Sequence, residues 1–204
     1  MTDALRGLLD TAAAQAAATG PVEAAAVLCG IGYILLAIRQ RRACWILGGL
    51  STALYIWVFA EARLYLQAAL QMLYVLLSVH GWRQWSREAG DGARPVVRSL
   101  TVQKHAAVLA ATAVMTLVTA PLLAAWSDSA APWADALGTW ASVAATWLMI
   151  RKVAANWLWW IVVDGGLAAL FASQGLLFTA VLYVAFALLA VLGWRAWRHA
   201  PTVA

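Results

Sequence analysis

The sequence predicts an all-α membrane protein with seven transmembrane helices, and three observations support this fold class. Hydrophobic residues make up 64% of the chain and charged residues only 11%, whereas soluble domains have about 45–50% and 25%. Several apolar stretches are long enough to cross about 30 Å of hydrocarbon, which takes roughly 17–25 helical residues. Lys and Arg are concentrated in alternate connections between these stretches, as the positive-inside rule predicts for a polytopic protein.

The spans follow from the apolar stretches in chain order. Residues 106–125 and 176–192 are apolar almost throughout, whereas a membrane β-barrel needs alternating apolar and polar residues, so helices are expected. The second span is short. We expect spans at 21–38, 45–60, 64–82, 106–126, 133–150, 156–173 and 176–195.

Two segments are expected to lie outside the bilayer core. Residues 1–20 contain Asp3, Arg6 and Asp10 and no apolar run of the signal-peptide type, so we expect an uncleaved periplasmic segment, either a surface helix or disordered. The connection 86–104 carries glycine and proline among charges and is expected to be a flexible cytoplasmic loop.

The positive charges predict the orientation of the chain. Twelve of the fourteen Lys and Arg residues lie on one side of the predicted spans, and only Arg6 and Arg63 lie on the other. We therefore expect a protein of the bacterial inner membrane with its amino terminus outside and its carboxy terminus in the cytoplasm. The same distribution explains the basic pI without nucleic acid as a partner. The twelve are Arg39, Arg41, Arg42, Arg83, Arg87, Arg94, Arg98, Lys104, Arg151, Lys152, Arg195 and Arg198.

An internal repeat relates positions 112 residues apart. Trp45 matches Trp157 at this offset, and the pattern Gly-Trp-Arg-x-Trp occurs at both 81–85 and 193–197. The offset crosses four spans, an even number, so equivalent helices run in the same direction. The predicted arrangement is 3+1+3, two parallel three-helix repeats joined by a linker helix. The predicted units are 1–20, repeat 1 at 21–85, loop and linker at 86–130, repeat 2 at 131–197 and a cytoplasmic tail at 198–204.

The sixth span carries the strongest candidates for binding. Asp164 is the only ionisable residue so central in any span, and such residues are costly in hydrocarbon. At about 100° per residue, Asn156, Trp159 and Trp160 lie in the same broad sector as Asp164. The alternatives are that Asp164 pairs internally and that the tryptophans pack between helices or lie near the headgroups.

The third span supplies a second polar row. Gln67, Gln71, Tyr74 and Ser78 lie on one helical stripe, and Tyr183 of the seventh span is equivalent to Gln71. Such residues line a cavity or join helices by hydrogen bonds. Polar residues of the second span are expected to join helices, and these are Ser51, Thr52 and Tyr55.

The sequence gives little support for a metal site or an enzyme active site. Cys29 and Cys44 have no neighbouring ligand at metal spacing, and the three histidines lie near membrane edges or in the tail. No phosphate-binding loop or nucleophile elbow occurs. We therefore expect no metal, no cofactor and no enzyme activity, and we interpret Trp194 and Trp197 as membrane-interface anchors.

Several motifs together resemble one family. The sequence Asn156-Trp-Leu-Trp-Trp-Ile-Val-Val-Asp164, the segment 175–183, the paired Gly-Trp signatures and Leu70-Gln-Met-Leu-Tyr74 are similar to those of the PnuC family of bacterial vitamin transporters. The resemblance covers residues 22–197. It implies a fold like that of full-length SWEET sugar transporters and import of nicotinamide riboside by facilitated diffusion with alternating access.

The resemblance also implies partners and a site. A separate cytoplasmic kinase would trap the substrate by phosphorylation, and a homo-oligomer is left open. The resemblance places Gln71, Tyr74, Asn156, Trp159, Trp160 and Asp164 around the substrate. Gln67 and Tyr183, from the polar row of the third span and its repeat equivalent, complete the expected substrate-binding residues. Indole faces attract the pyridinium cation of nicotinamide riboside by about 0.5–2 kcal/mol each. The alternatives are thiamine or riboflavin as substrate, or a membrane protein that transports nothing.

Overall fold

The computed structural model is all-helical, which confirms the predicted class. It describes residues 2–17, 20–61, 65–90, 97–127, 131–173, 175, 177–200 and 202–203. This part of the chain contains eight α-helices and two two-residue strands. In chain order they are α1 (Thr2–Ala17), α2 (Pro21–Ile38), α3 (Cys44–Glu61), α4 (Tyr65–Gly90), β1 (Val97–Arg98), α5 (Val102–Trp126), α6 (Pro132–Ile150), α7 (Asn156–Ser173), α8 (Leu177–Trp197) and β2 (Thr202–Val203).

Several helices begin at residues whose type favours a helix start. Pro21 and Pro132 each occupy the first turn of their helices, where proline has no hydrogen bond to lose. Glu23 and Asp135 follow in the same turns, where a negative charge is favourable next to the helix dipole. Thr101 caps α5 by accepting a hydrogen bond from the backbone N–H of Lys104 at 3.4 Å.

The helices pack as two groups. Helices α2, α3 and α4 contact one another in sequence, and so do α6, α7 and α8. The groups meet where α2 packs on α8 and α4 packs on α6, while α5 packs mainly on α6. Helix α1, which corresponds to the predicted amino-terminal segment, packs on α8, where the Gln15 side chain accepts a hydrogen bond from Phe178 N–H at 2.9 Å.

Four helices in the described part of the chain are long and apolar enough to cross a membrane by length and composition, namely α2, α3, α5 and α8. Helices α4, α6 and α7 have comparable or greater length but carry more polar groups, among them Gln71, Ser142 and Asp164. The protein is therefore a multi-pass membrane protein in which polar side chains are concentrated on particular helices.

The predicted loop between spans 3 and 4 is partly structured, so the expectation of a flexible connection over its whole length was wrong. Helix α4 continues to Gly90, and Val97–Arg98 forms a parallel pair with Thr202–Val203. Arg98 also exchanges backbone hydrogen bonds with the α6–α7 turn, donating to Lys152 at 2.9 Å and accepting from Ala154 at 3.1 Å. Residues 91–96 lie outside the described part.

The cation-rich segments meet at one end of the bundle. The α2–α3 turn, the α6–α7 turn, strand β1 and the carboxy-terminal end of α8 are joined there by hydrogen bonds. Gln40 and Lys152, 112 residues apart in the two turns, both have φ 52°. The two turns thus share a backbone conformation that side-chain-bearing residues rarely adopt.

Candidate functional site

A cavity of about 260 Å³ lies between the two groups of helices, near the lower end of the size range of small-molecule sites, about 300–1,000 Å³. Its described walls come from α2, α3, α4, α6, α7 and α8, and neither α1 nor α5 contributes a lining residue. The cavity therefore belongs to both helix groups at once.

Helix α7 provides the charged wall. Trp160 and Asp164 are one turn apart and both line the cavity, because residues four apart lie on one face of a helix. Asp164 is 5% exposed, and no Lys, Arg or His pairs with it among the described residues. A buried carboxylate without a cationic partner, beside an indole face, is suited to a positively charged aromatic ligand.

Helices α4 and α6 provide polar groups across the boundary between the helix groups. Gln71 and Tyr74 of α4 line the cavity, as do Ser142 and Thr146 of α6. Tyr74 and Ser142 line the cavity from the two different helix groups, which contact each other through α4 and α6.

Helix α3 contributes Ser51, Thr52 and Tyr55 to the lining. The Ser51 hydroxyl donates to the carbonyl of Ala26 at 2.8 Å, which confirms it as an interhelical hydrogen bonder. The Thr52 hydroxyl instead lies 3.1 Å from the carbonyls of Gly48 and Gly49 in its own helix. The hydroxyl groups of Ser51 and Thr52 thus both have backbone carbonyl acceptors, although both residues line the cavity.

Most lining residues occur in pairs 112 positions apart, and the chemistry within a pair often differs. Thr52 corresponds to Asp164, and Gln71 corresponds to Tyr183. The cavity is therefore symmetric in its backbone frame and asymmetric in its side chains. The pairs are Gly30 and Ser142, Ile34 and Thr146, Trp45 and Trp157, Gly48 and Trp160, Thr52 and Asp164, Tyr55 and Leu167, Gln71 and Tyr183, Tyr74 and Phe186, and Ser78 and Ala190.

Four tryptophans close the cavity at the cation-rich end. Trp45 and Trp157 line the cavity, and Trp85 and Trp197 pack behind them with 1% of each exposed. Trp45 and Trp85 lie 5.5 Å apart at 88°, and Trp157 and Trp197 have the same distance and angle. We call these four residues the tryptophan cluster.

Reciprocal hydrogen bonds tie the cluster to the opposite helix group. The Trp85 indole N–H donates to the carbonyl of Ile150 at 3.0 Å, and that of Trp197 donates to Ile38 at 3.1 Å. The interpretation of Trp197 as a membrane anchor was therefore wrong, because its ring packs against aromatic neighbours and its N–H has a protein acceptor.

The structure brings five of the eight predicted site residues to the cavity, and they are Gln71, Tyr74, Trp160, Asp164 and Tyr183. Trp159 is half-buried and does not line it. Asn156 is fully buried in the α6–α7 turn, where its amide donates to the carbonyl of Val153 at 2.7 Å. The side chain of Gln67 lies outside the described residues.

Sequence reasoning missed three polar residues of the cavity lining, and they are Tyr33, Ser142 and Thr146. Ser142 and Thr146 are four apart on α6, a spacing that could have indicated a polar stripe. Tyr33 gave no such signal, because it stands among apolar residues of α2. Its location depends on packing against α3.

The chain is similar to several vitamin transporters. A family model described as nicotinamide mononucleotide transporter matches residues 20–199. The nicotinamide riboside transporter PnuC of Escherichia coli (strain K12) is 26% identical over 201 residues, covering 86% of this chain and 84% of that protein. The riboflavin/roseoflavin transporter RibM of Streptomyces davaonensis is 31% identical over 178 residues, covering 82% and 80%.

A solved structure is similar as well. The crystal structure of the vitamin B3 transporter PnuC matches with a TM-score of 0.70 at 25% identity, covering 95% of this chain and 91% of that chain. All six helices that line the cavity fall within the residues that the family model matches.

Proposed function

The chain belongs to the nicotinamide mononucleotide transporter family, and on that premise we propose that it imports nicotinamide riboside across the bacterial inner membrane. The family consists of transporters, so the chain is a membrane transporter of the vitamin type and not an enzyme. The observation that carries the proposal is the cavity, where the Asp164 carboxylate and the Trp160 indole lie on one wall.

The cavity chemistry suits a flat cation attached to a sugar. Trp160 offers an aromatic face to the pyridinium ring, and the Asp164 carboxylate balances its positive charge or accepts hydrogen bonds from ribose hydroxyls. Gln71, Tyr74 and Tyr183 provide an amide and two hydroxyls for the carboxamide and the ribose. Asn156 and Trp159 do not line the cavity, so we do not propose them as substrate contacts.

Riboflavin is the second candidate substrate. A relative that is 31% identical is named a riboflavin/roseoflavin transporter, and an isoalloxazine ring is flat like a pyridinium. Riboflavin carries no positive ring, so it would not use the charge of Asp164 in the same way. The carboxylate therefore favours nicotinamide riboside, and thiamine, which is also an aromatic cation, belongs in the same comparison.

The proposed topology has seven membrane-spanning helices, α2 to α8, in the 3+1+3 arrangement. Two parallel repeats, α2–α4 and α6–α8, are joined by the linker helix α5. The reciprocal tryptophan hydrogen bonds and the paired lining positions support this arrangement. The cation-rich end is the cytoplasmic one, which gives an external amino terminus.

Transport would proceed by alternating access between the two repeats. The tryptophan cluster seals the cavity toward the cation-rich end. The state that is open toward this end therefore requires the two repeats to rock and separate these rings. No energy source is required for facilitated diffusion, and phosphorylation by a separate cytoplasmic kinase would keep the imported substrate inside.

Uptake into proteoliposomes tests this proposal. The wild type, Trp160→Ala, Asp164→Asn and the matched control Trp159→Ala are supplied with labelled nicotinamide riboside, thiamine or riboflavin. We expect saturable uptake of nicotinamide riboside, reduced at least tenfold in the Trp160 and Asp164 variants and unchanged in Trp159→Ala. An uptake rate that does not change with an imposed pH gradient supports facilitated diffusion. An uptake rate that depends on the gradient in the wild type, and no longer does so in Asp164→Asn, would indicate proton coupling.

Other outcomes would redirect the assignment. Saturable uptake of riboflavin alone would leave the assignment as a transporter intact and would overturn nicotinamide riboside as the substrate. Uptake of none of the three vitamins, by protein that remains folded by its melting temperature, overturns the proposal.

A further inference from the structure

Tyr33 of α2 lies directly against the backbone of α3. A β-carbon added to Gly48 would lie 2.9 Å from Cδ2 of Tyr33, 3.4 Å from Cε2 and 3.5 Å from Cγ. The ring therefore occupies the space that a side chain at position 48 would need. Tyr33 also contacts Trp45 with ring centroids 5.8 Å apart, so the tyrosine ring is held by a helix backbone and by a second aromatic ring.

The equivalent positions in the other helix group reverse this arrangement. Position 145, which corresponds to Tyr33, is a fully buried alanine. Position 160, which corresponds to Gly48, is the tryptophan that lines the cavity. One group thus has a large residue on its first helix and a small one on its second, and the other group has the small residue first and the large one second.

From this exchange we infer that Tyr33 and Trp160 form the two walls of an aromatic slot that binds the flat ring of the substrate. Because positions 48 and 160 are symmetry-related and Tyr33 occupies the side-chain space of position 48, the two rings lie on opposite sides of the cavity at the same depth. The inference rests on the proposed function, since it assigns the ring of the transported vitamin to this slot.

Gly48 sets the width of the slot. A β-carbon at position 48 would displace the tyrosine ring, and Trp45, with its ring centroid 5.8 Å away, limits where that ring can go. We expect the displacement to narrow the slot, which would then exclude a ring that needs about 3.5–4.0 Å from each wall. Gly48 is therefore a specificity-determining residue although it has no side chain of its own.

Ligand affinity measured on the purified protein in detergent tests the slot. Nicotinamide riboside and riboflavin are titrated calorimetrically into the wild type, Tyr33→Phe, Tyr33→Leu, Gly48→Ala and Tyr33→Leu/Gly48→Ala. Gly49→Ala is the matched control, because its β-carbon would have an ordinary 3.5 Å contact with Ser78. Melting temperatures without ligand show which variants are folded, and Tyr33→Leu removes the aromatic ring while keeping an apolar side chain at this position.

For the ligand that the wild type binds, we expect about tenfold weaker binding in Tyr33→Leu and near-normal binding in Tyr33→Phe, because only the aromatic face is needed. Gly48→Ala should weaken binding about fivefold or more when Tyr33 is present and should add no loss in the Tyr33→Leu background. A merely structural role would move the melting temperature without this dependence on Tyr33.

Three results would overturn the inference, and they are distinguishable from one another. Folded Tyr33→Leu protein that binds as well as the wild type would overturn the slot and leave the proposed function intact. Wild-type protein that binds neither nicotinamide riboside nor riboflavin would overturn the proposed function, and the slot with it. Additive losses for Gly48→Ala and Tyr33→Leu would also overturn the inference, because the glycine would then act independently of the tyrosine.

Discussion

At the scale of single residues, two glycines permit the closest helix contacts in the tryptophan cluster. A β-carbon at Gly193 would fall on the indole of Trp157, and one at Gly81 would fall on the indole of Trp45. Both rings are almost completely buried and have no room to move without displacing neighbours. The paired Gly-Trp signatures in the sequence therefore encode ring-on-backbone packing.

Substitution of Gly193 by alanine should destabilise the protein by about 1–3 kcal/mol, because the added methyl group overpacks the contact with Trp157. The matched control is Gly166→Ala in α7, where a β-carbon would meet nothing within 4 Å and where alanine should stabilise the helix by roughly 0.5–1 kcal/mol. Thermal unfolding in detergent measures both. Equal melting temperatures for the two variants would contradict this account.

The sequence predicts single residues well when their chemistry is unusual for their surroundings. Asp164 stands out as a carboxylate in an apolar span, and the structure places it at the cavity. Helical angle groups Asn156 with it, but Asn156 is the first residue of α7 and its side-chain N–H donates to the α6–α7 turn. Helical periodicity gives direction around an axis, and it does not give depth along the bundle or the partners contributed by other helices.

At the scale of elements, Glu88 joins α4 to the turn between α6 and α7. Its carboxylate lies 2.8 Å from the Lys152 ammonium and 3.4 Å from the Arg98 guanidinium. Burial alone would raise the pKa of Glu88, but hydrogen bonds from Lys152 and Gln84 and the two positive charges outweigh it, so the pKa lies below its usual value. The charged form is therefore favoured by folding.

Glu88→Gln should lower stability at neutral pH by about 1–2 kcal/mol, less than for a fully buried pair, because 23% of the carboxylate side chain stays exposed. A lowered pKa stabilises the folded state above the unfolded value of about 4.3 and loses this contribution as pH falls through the folded value. The difference in melting temperature from wild type should thus be constant from pH 7 to 5 and shrink below about pH 4.5. A difference that widens on acidification would contradict the prediction.

Element boundaries were predictable where apolar runs end sharply and less so where a helix leaves the bilayer. The predicted span 21–38 coincides with α2, whereas the predicted span 64–82 is only part of α4, which continues to Gly90. The extension is polar and amphipathic, so hydropathy ends before the helix does. Strand β1 has only two residues and forms by pairing with distant segments, and no local pattern predicts that.

At the scale of the whole molecule, the tryptophan cluster joins the two helix groups at the cation-rich end of the cavity. Two indole hydrogen bonds cross between the helix groups here, and Cys44 lies fully buried in the same hydrophobic core as these tryptophans. Rocking of the two groups would have to break both bonds and expose this region. Cys44 is therefore a native reporter of opening at this end.

The double variant Trp85→Phe/Trp197→Phe should open the cation-rich end more often, because it keeps the aromatic packing and removes both cross-group hydrogen bonds, each worth about 1 kcal/mol. In a Cys29→Ser background, labelling of Cys44 by a maleimide should accelerate about tenfold. Trp126→Phe, at an 82% exposed position at the end of α5, is the control and should not change the rate. Unchanged labelling in the folded double variant would argue against opening through the cluster.

Helix α5 has a consequence for the ancestry of the protein. It contributes no described residue to the cavity and packs mainly on α6. Three helices are an odd number, so direct fusion of two gene copies would have inserted the second copy upside down. One additional span restores its orientation, and the reciprocal bonds between Trp85 and Ile150 and between Trp197 and Ile38 are those that two identical half-length chains would form. In the proposed 3+1+3 topology, the linker helix is therefore what a fusion of two such copies would require, after which the two halves could diverge around one cavity.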